Sequence, residues 1–335
     1  MFYAAAQASM GDLQLWLKGV EAYQQAPHPA PPSSPKVIWE QGAARVLDYT
    51  QVEGDTLLLV VPSHINRSTI LDLLPHNSFM RALAEQFPAW LLDWGLPGTS
   101  EKEFTFDDYI TTYVVPVIAQ ARRKYKRVVL LGYCMGGLSA LAAAALEKVD
   151  ALILMATPWD FYAYPVPTRL GLANMTASYQ PWINQGNALT VDMIQTLFSL
   201  MQPMAVFEKF KKAGKDGCDE LFVAIEDWLN GGIELPAHVA QTCLIDWFQN
   251  NATYRGSWSV DGTIVKPEGI NVPALVVLPE RDQVVPLRAA QPLVDFLPQG
   301  EPLPVPLGHV GMIVGRQSAS LVREPILAWL RGQFS

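Results

Sequence analysis

Short apolar runs of strand length recur through the first half of the chain, and each gives way to a stretch of different character. Val37 to Glu40, Ala44 to Tyr49, Thr56 to Val61, Ala89 to Asp93, Arg127 to Leu131 and Ala151 to Met155 read as strands, being rich in Val, Leu and Ile. Helix-like stretches separate several of them, notably Thr105 to Lys124, where Thr105 and Asp108 are spaced as a capping pair. Apolar strands alternating with helices predict a mainly parallel central sheet covered on both faces.

The alternation stops after Pro158. Residues 159–255 are rich in Trp, Phe and Met at helical spacing, with no clear strand among them. Past Gly269 the strand pattern resumes with Ala274 to Leu278 and Leu303 to Pro306, and the chain closes on a helix from Ser318 to Gly332. The economical account is one α/β core, residues 37–158 and 256–335, interrupted by a helical insertion at 159–255. Ahead of the core, residues 1–36 read as an amphipathic helix and then a Pro-rich linker, His28-Pro29-Ala30-Pro31-Pro32-Ser33-Ser34-Pro35.

The uncharged run from Val128 to Leu146 approaches the length of a membrane span. Three glycines interrupt it, and Val128-Val129-Leu130-Leu131 gives way to an alanine-rich stretch, so strand, turn and buried helix describe it better. No integral membrane segment is expected.

Composition narrows the function classes. Half of the 335 residues are apolar, enough to bury a full core, and a net charge of −8 argues against a nucleic-acid surface. The one basic cluster, Arg122 to Arg127, falls at a predicted helix end, where cations are favoured. Cys134, Cys218 and Cys243 include no C-x-x-C pair, so neither a disulfide framework nor a zinc site is indicated. The first residues lack the charged and apolar regions of a secretory signal, and a cytoplasmic location is the expectation.

The chemistry centres on Gly132-Tyr133-Cys134-Met135-Gly136, which has the spacing of the hydrolase nucleophile turn G-x-S-x-G with cysteine in place of serine. It stands between a predicted strand and a predicted helix, the setting in which that turn exposes a nucleophile. A thiol at the start of a helix gains from the helix dipole, which favours thiolate. A nucleophile needs a base and an orienting acid, which in this architecture follow later in the chain, acid first. Asp282 lies just past the strand Ala274 to Leu278, and His309 follows the last strand. The Met135 amide supplies one oxyanion donor, and the loop Pro62-Ser63-His64-Ile65-Asn66-Arg67 supplies the second. Ser63, His64 and Asn66 could line the site there, although Asn66 suits an equally plain role in holding the loop. Such a triad requires no cofactor and no metal.

Around these residues the chain resembles the polyhydroxyalkanoate synthase family, especially its short catalytic subunits, whose nucleophile is a cysteine in a lipase-like box. The resemblance is carried by Leu59 to Arg67 with Ile70-Leu71-Asp72-Leu73, by Leu92-Asp93-Trp94-Gly95-Leu96-Pro97, Phe106 to Ile110, the Cys134 box and Ala156-Thr157-Pro158-Trp159-Asp160-Phe161. It implies an α/β-hydrolase core with a helical cap, and it puts the family's catalytic Cys, Asp and His at Cys134, Asp282 and His309. It also implies a 3-hydroxyacyl-CoA substrate, a polyester product, a place at polyester granules and a homodimer or a partner subunit. The sequence departs from the family where Ser68 and Thr69 replace an expected aromatic residue, where Met135 follows the nucleophile, and through most of the cap. The same triad with water as acceptor would serve a polyester depolymerase or an acyl-CoA thioesterase. Another acyltransferase with a short hydroxylated acceptor, or a noncatalytic granule or lipid-binding protein, stands open beside these.

Overall fold

The computed structural model describes residues 9–201 and 204–334; the first eight residues of the expected N-terminal segment lie outside the described residues. Eight strands form the main sheet: β1 (Lys36–Gln41), β2 (Ala44–Asp48), β3 (Thr56–Val61), β4 (Ala89–Asp93), β5 (Arg127–Tyr133), β6 (Ala151–Met155), β7 (Ala274–Pro279) and β8 (Gly300–Val305). Their order across the sheet is β1-β2-β4-β3-β5-β6-β7-β8. Strand β2 pairs antiparallel with β1 and β4, and every ladder from β4 to β8 is parallel.

Burial explains the strand sequences. Every residue of β3, β6 and β7 is buried, as is all of β5 after Arg127, so these strands read as continuous apolar runs. The edge strands β1 and β8 are largely exposed or half-buried, and β8 carries Pro302 and Pro304, which only an edge tolerates. That is why β8 begins at Gly300, ahead of the expected Leu303: the residues before the apolar pattern need no second partner. Strand β5 runs two residues past the expected Leu131, to Tyr133.

Helix α1 spans Met10–Gln25. Helix α2 covers residues 106–124, with a π turn at Ile110–Val114. Thr105 Oγ1 accepts from the Asp108 amide at 3.1 Å while Asp108 Oδ2 accepts from the Thr105 amide at 2.8 Å, the reciprocal capping box that the spacing predicts. The basic cluster at its end is spent on contacts: Arg122 on Asp150 at 2.8 Å, Lys126 on Asp55 at 2.7 Å, Lys124 over the rings of Trp90 and Tyr125. Helix α3 is Met135–Leu146, directly after β5. The closing segment begins as a π turn at Ala319–Arg323 and continues as an α-helix over Glu324–Phe334, whereas a single helix from Ser318 is expected from periodicity.

Between β6 and β7 lie α4 (Val166–Ile183), α5 (Val191–Met201), α6 (Ala205–Asp216), α7 (Glu220–Asn230) and α8 (Ala237–Gln241), the last continuing as a π turn over Thr242–Gln249. The two ends of this excursion are stitched together. Asn251 Oδ1 accepts from the Phe161 amide at 2.8 Å, Asn251 Nδ2 donates to Asp160 Oδ1 at 2.8 Å, and Thr253 Oγ1 donates to the Trp159 carbonyl. Helix α1 crosses α6 closely, because a Cβ on Gly19 would meet the carbonyl of Phe210 and one on Gly214 the carbonyl of Leu15. Tyr23 donates to Asp227 Oδ1 at 2.7 Å, and Arg81 reaches the Ser33 carbonyl at 2.6 Å in the proline-rich stretch. The N-terminal helix is therefore packed on the helical segment. Among the described residues, no helix is long and apolar enough to cross a membrane.

Candidate active site

The site is assembled at the carboxyl ends of β3, β5, β6, β7 and β8. Cys134, the first residue after β5, adopts φ 56° and ψ −123°, a left-handed conformation that costs a side chain on the order of 1–3 kcal/mol. The surroundings enforce it. Its amide donates to the Met155 carbonyl at 2.8 Å and its carbonyl accepts from the Gly137 amide at 2.9 Å. Glycine spacing has a steric cause here: a Cβ on Gly136 would meet the carbonyls of Val61 and Pro62, and one on Gly132 the backbone of Gly137. Helix α3 can thus press its first turn against β3 and β5 while Cys134 is turned outward, half-buried.

Asp282 and His309 come together from loops after β7 and β8. His309 Nδ1 lies 2.6 Å from Asp282 Oδ2, and the other carboxylate oxygen accepts from the amides of Val284 at 2.8 Å and Val285 at 2.9 Å. The carboxylate side chain is fully buried. Nδ1–H is thereby committed to Asp282, which leaves Nε2 for the thiol. Burial works against the charged imidazole. The negative charges of Asp282 and Cys134, together with hydrogen bonds to both, outweigh it and raise the His309 pKa well above its ordinary value. Tyr133 adds a further support that the sequence reading did not single out: its hydroxyl donates to the His309 carbonyl at 3.2 Å.

The remaining predicted residues separate. Met135 begins α3, so its amide has no partner within the helix and points from a helix N-terminus beside Cys134. Its buried side chain meets Cys243, Sγ to Sδ 4.0 Å. Ser63 Oγ accepts from the Ile65 amide at 3.1 Å, bracing the loop after β3. Asn66 takes φ 66°, a conformation asparagine tolerates well. His64 is buried against Trp94, with ring centroids 4.0 Å apart, and against Phe106 and Tyr109 at 5.1 and 5.0 Å. Neither of its ring nitrogens has a hydrogen-bond partner among the described residues, and burial lowers its pKa to about 3. Among the described residues there is no cluster of three or more His, Cys, Asp or Glu able to hold a metal.

The arrangement of thiol, imidazole and carboxylate is suited to covalent acyl transfer. The loops that carry it fall in a segment, residues 71–315, that matches the α/β hydrolase fold family. Among curated proteins, the chain is 31% identical over 310 residues to a poly(3-hydroxyalkanoate) polymerase subunit of Haloferax mediterranei, covering 88% of this chain and 63% of that one. It is 27% identical to the subunit of Haloarcula marismortui, covering 88% and 66%, and 26% identical to that of Allochromatium vinosum, covering 89% and 88%. The chain spans a little under two thirds of the length of the two haloarchaeal relatives. Solved structures share the fold at low identity: a meta-cleavage product hydrolase from Pseudomonas fluorescens (TM-score 0.53, 14% identity, 89% of this chain and 98% of that one) and an esterase from Thermogutta terrifontis (0.51, 16%, 91% and 100%). This chain belongs to the α/β hydrolase fold family, and along most of its length its similarity is to the polymerase subunits of poly(3-hydroxyalkanoate) synthesis.

Proposed function

We propose that the protein is a polyhydroxyalkanoate synthase-like acyltransferase in which Cys134 is the nucleophile, His309 the base and Asp282 the residue that orients it. The observation that carries this reading is the 2.6 Å Asp282–His309 pair beside a cysteine held in the left-handed turn at the start of α3. In the first half-reaction His309 takes the Cys134 proton and the thiolate adds to the carbonyl of a 3-hydroxyacyl-CoA. The oxyanion faces the Met135 amide and a donor from the loop at 62–67. Collapse breaks the bond from carbonyl carbon to CoA sulfur, His309 returns the proton to the leaving thiolate, and an acyl-enzyme remains. Exchange of one thioester for another is nearly thermoneutral, which suits a thiol to this donor. In the second half-reaction the hydroxyl of another acyl unit or a chain end gives its proton to His309 and attacks the acyl carbonyl. An ester forms and the Cys134 thiol is regenerated.

The helices between residues 159 and 255 act in this reading as a cap that shields the acyl-enzyme from water. A homodimer or partner subunit, and a location at polyester granules, belong to the same proposal. The test gives the purified protein 3-hydroxybutyryl-CoA and follows CoA release and polymer together. Ester-linked oligomer accompanying CoA release, with both lost in Cys134→Ala, is the expected result. CoA release with only free 3-hydroxybutyrate would make the protein a thioester hydrolase, and release that persists in Cys134→Ala would remove the nucleophile assignment.

A further inference from the structure

The loop at residues 62–67 joins two places. At its first residue it is pressed against the nucleophile turn, where a Cβ on Gly136 would meet the Pro62 carbonyl. At its last residue, Arg67 lines a groove of about 380 Å³, within the size range of small-molecule sites. Asp93, the end of β4, lines the same groove, so it opens at the edge of the sheet that carries Cys134. Only β3 stands between β4 and β5, a separation of roughly 10 Å at ordinary strand spacing.

The walls are mostly apolar and poor in donors. Leu47 and Leu91, partners across β2 and β4, line the groove with Trp228 of α7 and the prolines of residues 29–35. Proline has no N–H to give, and Trp228 Nε1 is spent on the Arg67 carbonyl at 2.7 Å. The carboxylates are spent as well. Asp93 accepts from Arg45 and the Ser68 hydroxyl, each at 2.9 Å, and Asp72 from Arg81 and the Tyr49 hydroxyl at the same distance. Asp227 is held by Tyr23 and His28, each at 2.7 Å, and the His28 contact fastens the proline stretch beside the groove. Arg67 is the exception. Its Nε donates to the Gly231 carbonyl at 2.9 Å, and no carboxylate pairs with its guanidinium among the described residues. Arginine donors among apolar walls call for acceptors on an apolar body. An anion would meet three carboxylates there, whereas the carbonyl of a neutral ester accepts from the guanidinium without that repulsion.

We propose that this groove binds the polyester acceptor: ester carbonyls accept from the Arg67 guanidinium, the carbon segments between them lie against Leu47, Leu91 and the prolines, and the hydroxyl end crosses the loop at 62–67 to reach Cys134. The inference rests on the acyl-transfer reading above and names where its second substrate lies. A growing chain held there stays beside the nucleophile between additions.

The experiment measures binding without turnover, by calorimetry, of the methyl ester of a linear 3-hydroxybutyrate tetramer to the Cys134→Ala protein. Two variants are made in that background. Arg67→Ala removes the guanidinium, and Thr69→Trp narrows the groove from an exposed lining position whose side chain makes no hydrogen bond among the described residues. Each should weaken tetramer binding roughly tenfold to a hundredfold. No binding to Cys134→Ala, or binding that either variant leaves unchanged, would overturn the inference. Decanoate, an anion of similar apolar length, should bind more weakly than the tetramer; tighter binding of decanoate would make the groove a carboxylate site and overturn the ester assignment. Loss of the groove and loss of the reading beneath it are distinguishable: absent tetramer binding beside intact CoA release removes the groove alone. Tetramer binding that responds to both variants, in a protein that releases no CoA from 3-hydroxybutyryl-CoA, keeps the ester site and removes the transferase.

Discussion

In the proposed reaction Asp282 acts on Cys134 only through His309, and the sign of its effect follows from the charges. Burial disfavours the imidazolium, while the adjacent carboxylate stabilises it. Replacing Asp282 by Asn removes that stabilisation, lowers the His309 pKa and weakens the pairing of thiolate with imidazolium. Acyl transfer from 3-hydroxybutyryl-CoA should then fall roughly 10²- to 10⁴-fold in Asp282→Asn, measured as CoA release, and an unchanged rate would remove Asp282 from the reaction. His64 gives the opposite kind of linkage. Its folded-state pKa, about 3, lies below the ordinary 6.5, so the unfolded chain binds the proton first as pH falls. Stability should drop progressively from about pH 6.5 toward about pH 3, by at most roughly 1.4 kcal/mol per pH unit for this one group. Urea midpoints at several pH values should show a shallower acid slope in His64→Phe than in wild type; parallel slopes would exclude His64 as a source. These residues also show what a sequence discloses. Cys134, Asp282 and His309 were legible because a glycine spacing and two strand ends mark them. The surroundings of His64 were hidden because Trp94, Phe106 and Tyr109 reach it from separate segments.

At the scale of elements, the same distinction explains which boundaries were readable. Central strands announce themselves because both faces are covered, and β3 and β6 match the apolar runs residue for residue. β8 does not, because as an edge strand it carries Gly300, Glu301 and two prolines, which resemble a loop. The pairing of α1 with α6 is silent in the sequence for a different reason: Gly19 and Gly214 are ordinary helix glycines until the two helices meet. Enlarging either should drive them apart. Gly19→Val would overpack the crossing by about 1–3 kcal/mol, releasing α1 and the segment after it. Limited proteolysis with mass mapping should then show faster cleavage within residues 26–35, while the sheet strands stay protected; unchanged cleavage would mean that the Tyr23–Asp227 bond holds α1 without the close crossing.

Over the whole molecule, three chain segments widely separated in sequence converge on one candidate site because a parallel sheet brings all its carboxyl ends to the same edge. The long helical excursion leaves that edge after Asp160 and returns to it at Asn251, and the side chain of Asn251 joins the two ends. Asn251→Ala should cost about 1–3 kcal/mol by stranding the buried amide of Phe161. Hydrogen exchange should then rise across residues 166–249 and leave β3, β5 and β6 unaffected. Uniform acceleration over the entire chain would show instead that the excursion and sheet unfold as one cooperative unit.

The stitched base of that excursion has a consequence for how such a chain can diversify. A loop whose ends are already tied close together costs little more to lengthen, since closure entropy grows only logarithmically with its length. With Asp160, Asn251 and Thr253 kept, the helices above them form an exchangeable cassette: a differently shaped set could be grafted between the same two anchor points without changing the register of any strand beneath.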